Sequence, residues 1–122
     1  MKDEMAKLVY QGKEYNLIFN LNVLEEIQDK YGTLGKCLDA AFGHETGEPS
    51  IKALSFMVCT MVNEAIDIEN EKKQVPDKPI TVKQAGRMLS EFIQGYGLDS
   101  AVKLVDDLME KSLEGGKNSK NE

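Results

Sequence analysis

The spacing of apolar residues changes its period once, near residue 20. Before that point the chain carries two β-rich runs, Lys7-Leu8-Val9-Tyr10 and Glu14-Tyr15-Asn16-Leu17-Ile18-Phe19. In the second run Tyr15, Leu17 and Phe19 share one face by the period of two, with Glu14 and Asn16 opposite. Ile18 breaks the alternation, so the second face is expected to be partly covered. Gln11-Gly12-Lys13 between the runs offers the glycine that a tight reversal requires. The prediction is a β-hairpin. Alone in water a two-stranded hairpin is marginal, so it must lie on helices or pair with a further strand.

After residue 20 the period is that of a helix. Asn20 or Asn22 can cap a first helix, with Leu21, Leu24, Ile27 and Tyr31 on its stripe and Gly32 as its stop. Thr33 caps a second, short one. There Leu34, Cys37, Leu38, Ala41 and Phe42 give the spacing i, i+3, i+4, i+7, i+8. The segment His44–Pro49 is a loop, and Ser50 opens the longest helix. Ile51, Leu54, Val58, Met61, Val62, Ala65 and Ile66 form its main stripe, and Phe56, Met57 and Cys59 extend its apolar surface all round, the mark of a central helix. Lys72 and Lys73 are placed at its C-terminal end, where cations complement the helix dipole. Val75-Pro76-Asp77-Lys78-Pro79 breaks the chain as an inter-helix connector. Thr81-Val82-Lys83-Gln84 matches a capping box. Val82, Ala85, Met88, Leu89 and Phe92 follow as a stripe. Gly86 sits inside that helix, and a close helix contact would account for it. Gly95-Tyr96-Gly97 turns the chain into a last helix ending near Leu113. Gly115-Gly116 is read as its stop. The fold class is mainly α (α+β): a short N-terminal β-hairpin followed by a bundle of about five helices. Residues 1–114 form one domain, and 115–122 are expected as a disordered tail.

Composition narrows the function. The chain has 122 residues, enough for one core. Its 15 basic and 21 acidic residues give a net charge of −6. Arg87 is the single arginine, so the clustered cations of a nucleic-acid reader are missing. Two cysteines do not make a disulfide scaffold. The densest apolar stretch, Ala53–Val62, is far shorter than the roughly 20 residues of a membrane span. The charged start, Met1-Lys2-Asp3-Glu4, does not resemble a secretory signal, so a reducing cytoplasm is expected.

Catalytic chemistry finds little material. His44 is the only histidine. With Glu45 and Glu48 it faintly matches a zinc-protease helix, but the second histidine is missing and the site falls in a Gly/Pro loop. Cys37 and Cys59 lie on apolar stripes, where a free cysteine packs as a small hydrophobe. Gly95 and Gly97 lack the rest of a phosphate loop. Asp106-Asp107 and the series Glu64, Asp67, Glu69, Glu71 lack calcium-loop spacing and are expected as solvated helix faces. Met57, Met61, Met88 and Met109 are expected in the core rather than on an adaptable surface. No catalytic residue, metal or cofactor is assigned. What remains is interaction, through the unpaired edges of the hairpin or through apolar residues off the main stripes: Phe56, Ile68, Leu104 and Leu113.

Several strings resemble a known family. Tyr15–Ile27 followed by Lys30-Tyr31-Gly32-Thr33-Leu34 is similar to the opening of siphophage tail assembly chaperones and the related gene-transfer-agent proteins. Leu54-Ser55-Phe56-Met57-Val58 and Ile80-Thr81-Val82-Lys83-Gln84-Ala85-Gly86 resemble that family's central helix and the start of its next one. The resemblance spans about Leu8 to Leu113, and its motifs are packing motifs. It implies a non-enzymatic protein that coats the tape-measure protein and helps recruit tail-tube subunits. It also implies work in the bacterial host cytoplasm, absence from the mature virion and, in many members, a longer frameshifted form. No nucleic-acid or membrane partner is implied, and a homo-oligomer is left open. Two other readings stay open: a structural tail or head–tail connector protein of a phage or prophage, and a small enzyme.

Overall fold

The period-two segment closes on itself through a two-residue turn. β1 (Met5–Tyr10) and β2 (Lys13–Ile18) pair antiparallel, from Tyr10 opposite Lys13 at the turn to Met5 opposite Ile18 at the far end. Gln11 and Gly12 both have positive φ, 50° and 78°, the combination whose twist matches that of the flanking strands. The reversal is thus one residue shorter than Gln11-Gly12-Lys13. Leu8, Leu17 and Phe19 point inward and are fully buried, and Ile18 is buried on the other side, as its break in the alternation requires.

In this computed structural model the backbone is described for residues 5–121 and the side chains for residues 5–113. Five helices follow the hairpin: α1 (Leu21–Tyr31), α2 (Leu34–Phe42), α3 (Ile51–Asn70), α4 (Val82–Tyr96) and α5 (Leu98–Asn121). Each of the first four starts where a side-chain oxygen accepts an otherwise orphaned backbone N–H. Asn20 serves Val23, Thr33 serves Lys36, Ser50 serves Ala53 and Thr81 serves Gln84. At α4 the Gln84 side chain answers by accepting the Thr81 N–H at 2.8 Å, which completes the capping box.

α3 is the centre of the molecule. Half of its twenty residues are buried, and it packs on β2 and α4 and, through its other flank, on α1 and α2. α4 lies beside α3 and reaches β1, while α5 covers α4 and touches the start of β1. Met57, Met61, Met88 and Met109 all sit in the core, 0–3% exposed. No helix among the described residues is long and apolar enough to cross a membrane.

Two helix ends differ from the pattern. α3 stops at Asn70, so Lys72 and Lys73 fall in the turn beyond it, and Lys73 pairs instead with Asp77 at 2.6 Å. α5 runs on through Gly115-Gly116 to Asn121, because glycine weakens a helix without forbidding it. The tail expected over 115–122 falls on residues outside those whose side chains are described.

Two glycines make contrasting demands. Gly43 ends α2 in the left-handed region, φ 73°, and a Cβ there would lie 2.5 Å from the Glu48 carbonyl carbon. Gly86 has ordinary helical backbone, and a Cβ would meet only the Ser55 hydroxyl at 3.5 Å, a normal contact. The helices are close there, but not so close that glycine is required. Gly86→Ala should therefore stabilise the fold by about 0.5–1 kcal/mol, and Gly43→Ala should destabilise it by more than about 1 kcal/mol. Urea unfolding of the two variants checks both signs.

Candidate interaction surfaces

The one histidine is hydrogen-bonded and both cysteines are buried. His44 lies in the exposed loop after α2, its Nδ1 3.0 Å from Asp39 Oδ1. Cys37 is buried, and its thiol is pushed up to about 11 by that burial. Burial pushes the Cys59 thiol up as well, with Glu26 adding to the effect. Cys59 contacts the Ile80 carbonyl oxygen at 3.5 Å. Neither sulfur is poised as a nucleophile. Asp106, Asp107 and Glu110 bring carboxylate oxygens within 4.8 Å of one another on α5, and Lys103 approaches Asp107 at 3.8 Å.

One acidic residue departs from the expected solvated face. Glu64 on α3 accepts hydrogen bonds from Asn20 Nδ2 at 2.6 Å and Asn22 Nδ2 at 3.1 Å. It ties the hairpin exit and the start of α1 to α3. Asn20 is doubly employed, since its Oδ1 also caps α1 at Val23 N–H. Around this tie the carboxylates crowd. Partial burial, then Glu64, Asp67, Asp29 and Glu25, push the Glu26 carboxyl above its usual range.

The four candidate contact residues do not form one patch. Phe56 is half-buried. Its ring lies 5.7 Å from that of Tyr31, and the Lys30 ammonium sits 5.2 Å above it. Ile68 is half-buried near the C-terminal end of α3. Leu104 is half-buried on α5 and lines a cleft of about 240 Å³ with Met5 and Leu108. Leu113 is 46% exposed. At about 100° per residue, the nine residues from Leu104 to Leu113 place them on opposite sides of α5.

The larger apolar exposure lies along β1. Met5 and Val9 are 60% and 53% exposed, and Tyr96 at the end of α4 is 71% exposed. Val9, Phe92 and Tyr96 line a cleft of about 560 Å³ together with Lys7 and Glu91. Glu91 closes one end by accepting the Gln11 N–H at 3.3 Å. The sequence points to the hairpin edge but does not single out these residues. The available signal was the period of two in β1, which sets Met5, Lys7 and Val9 on the face opposite Leu8.

The edge of β2 faces a different wall. The connector after α3 is strapped to that helix by two asparagines. Asn70 donates to the Asp77 carbonyl and accepts the Asp77 N–H, both at 2.9 Å. Asn63 does the same for Ile80, at 3.0 and 2.8 Å. Seven helical residues rise about 10.5 Å, and three extended residues span about 10 Å. The two pairs are therefore in register, and the connector runs antiparallel to α3. Pro76 and Pro79 hold the extended course and, lacking N–H groups, add no unmet donors. Lys13, Tyr15 and Asn16 of β2 line a cavity of about 440 Å³ between the hairpin, α3 and this strap.

Asn63→Ala would strip partners from both backbone groups of Ile80, and a loss of about 2 kcal/mol is expected, with faster hydrogen exchange at the Ile80 amide. Asn70→Ala, at an exposed site, should cost less than half as much. The raised Glu26 carboxyl disfavours the folded state while it is charged, so stability gains as pH falls through its folded value toward the ordinary 4.5. Glu26→Gln should raise the melting temperature at pH 7 by at most about 3 °C. It should leave the melting temperature unchanged at pH 3.5, where both side chains are neutral. Thermal melts at the two pH values check this.

No protein-family model, no curated protein and no solved structure matches this chain.

Proposed function

We propose that the chain is a non-enzymatic phage tail assembly chaperone that binds the tape-measure protein and helps recruit tail-tube subunits in the host cytoplasm. The observation that carries this is the apolar exposure beside β1 and at the end of α4, with Leu113 on α5, on a chain whose net charge is −6. A chaperone for an apolar helical client needs contact area that its own core does not consume, and charge that keeps the complex in solution. The strings that resemble the family support the same reading. Tyr15–Ile27 carries the chain from β2 into α1, and Ile80–Gly86 carries the strapped connector into the capping box of α4. Their residues serve packing and capping, as expected of a protein that works through shape and surface.

Co-expression of the tagged chain with the neighbouring tape-measure and tail-tube proteins, followed by co-purification, tests the proposal. The tape-measure protein should stay soluble and elute with the chain. Elution of neither partner, or stoichiometric recovery of the chain from purified particles, would refute the chaperone role. Leu113→Glu should reduce capture about tenfold, equivalent to about 1.4 kcal/mol, with an unchanged melting curve because Leu113 is exposed. Capture at the wild-type level would remove Leu113 from the client surface.

A further inference from the structure

We propose that the outer edge of β1 is a docking site for an extended strand of another polypeptide, one that places an acidic residue opposite Lys7 and apolar residues opposite Met5 and Val9. The inference goes beyond the chaperone reading and stands on the hairpin alone, so a co-purification failure would leave it intact.

The ladder fixes which backbone groups are free. In a hairpin with a two-residue turn, the pair flanking the turn exchanges both hydrogen bonds, and the pairs beyond it alternate. Tyr10–Lys13 is that flanking pair, so Leu8–Tyr15 and Ala6–Leu17 are also bonded pairs. The N–H and C=O groups of Met5, Lys7 and Val9 therefore point away from β2. Among the described residues none of them finds a hydrogen-bond partner across that edge. An array of donors and acceptors repeating every second residue, about 6.8 Å apart, is complementary to an extended backbone. The clefts against α4 and α5 adjoin the same three residues. The edge of β2 is less open, because Ile18 is buried and the strapped connector stands beside Asn16.

Side chains select the occupant. Met5, Lys7 and Val9 share one face, and each would lie directly opposite a residue of an added antiparallel strand. Lys7 is 3.6 Å from Glu14 on its β2 side and its side chain is 60% exposed, with Glu91 lining the same cleft. A second copy of this chain fits poorly. The symmetric register that uses all three free residues sets Lys7 against Lys7 of the other copy, and like charges directly opposite destabilise a pair. An acid flanked by apolar residues at two positions on either side satisfies all three neighbours.

The test titrates the ¹⁵N-labelled full chain with the peptide Ac-Thr-Val-Thr-Glu-Thr-Val-Thr-NH₂. Saturable shifts are expected at the amides of Met5, Lys7 and Val9, with slowed hydrogen exchange there. The same peptide with lysine in place of its glutamate should bind about three- to fivefold more weakly, and Lys7→Glu should invert that order. N-methylation of the central glutamate removes the hydrogen bond to the Lys7 carbonyl and should abolish the shifts. The proposal is overturned if the shifts map to another surface or do not occur. Equal binding of the N-methylated peptide, or the same peptide ranking on the Lys7→Glu chain, would also overturn it. Concentration-dependent shifts of the β1 amides without peptide would assign the edge to self-association instead.

Discussion

The fold depends on the burial of α3. Between Ala53 and Val62 every residue of α3 except Phe56 is buried, so this stretch cannot present one face to the core and another to water; it must be enclosed. The hairpin covers it through β2, α4 lies along a second side, and α1 and α2 flank a third. None of these elements buries enough apolar surface to stand alone. The hairpin has six residues in each strand, and α2 has nine residues in all. Their order follows from what α3 requires to be kept from water.

Polar groups supply the alignment that apolar burial does not. Hydrophobic contact tolerates sliding, whereas paired hydrogen bonds do not. Glu64 receives two asparagine amides from the start of α1, and Asn63 and Asn70 each bond both backbone groups of one connector residue. All three residues lie on the second half of α3, where the helix turns from apolar to mixed. That half-helix is a docking rail for chain segments without regular structure of their own.

Much of the fold was legible in the sequence because its signals are local. Caps at Asn20, Thr33, Ser50 and Thr81, the period change near residue 20 and the all-round apolar α3 each require only neighbours in the chain. What could not be read depends on contacts distant in sequence. Glu64 looks like any surface acid until Asn20 and Asn22 are brought to it across more than forty residues. Asn63 and Asn70 look like ordinary helix residues until the connector folds back. The candidate contact residues were only partly legible for the same reason. A residue off its stripe is marked as unusual, but Phe56 is covered by Tyr31 and Lys30, whereas Leu113 is exposed. Whether such a residue is open depends on which neighbour arrives.

The asparagine strap acts as a ruler. Its two teeth are seven helical residues apart on one side and three extended residues apart on the other, so both spacings are locked together. An insertion or deletion between 63 and 70, or between 77 and 80, would rotate or slide one tooth out of mesh. The turn from 71 to 76 lies outside the meshed span and can change length freely. Between Asn63 and Ile80, lengthening is thereby confined to a single window, at the end of α3.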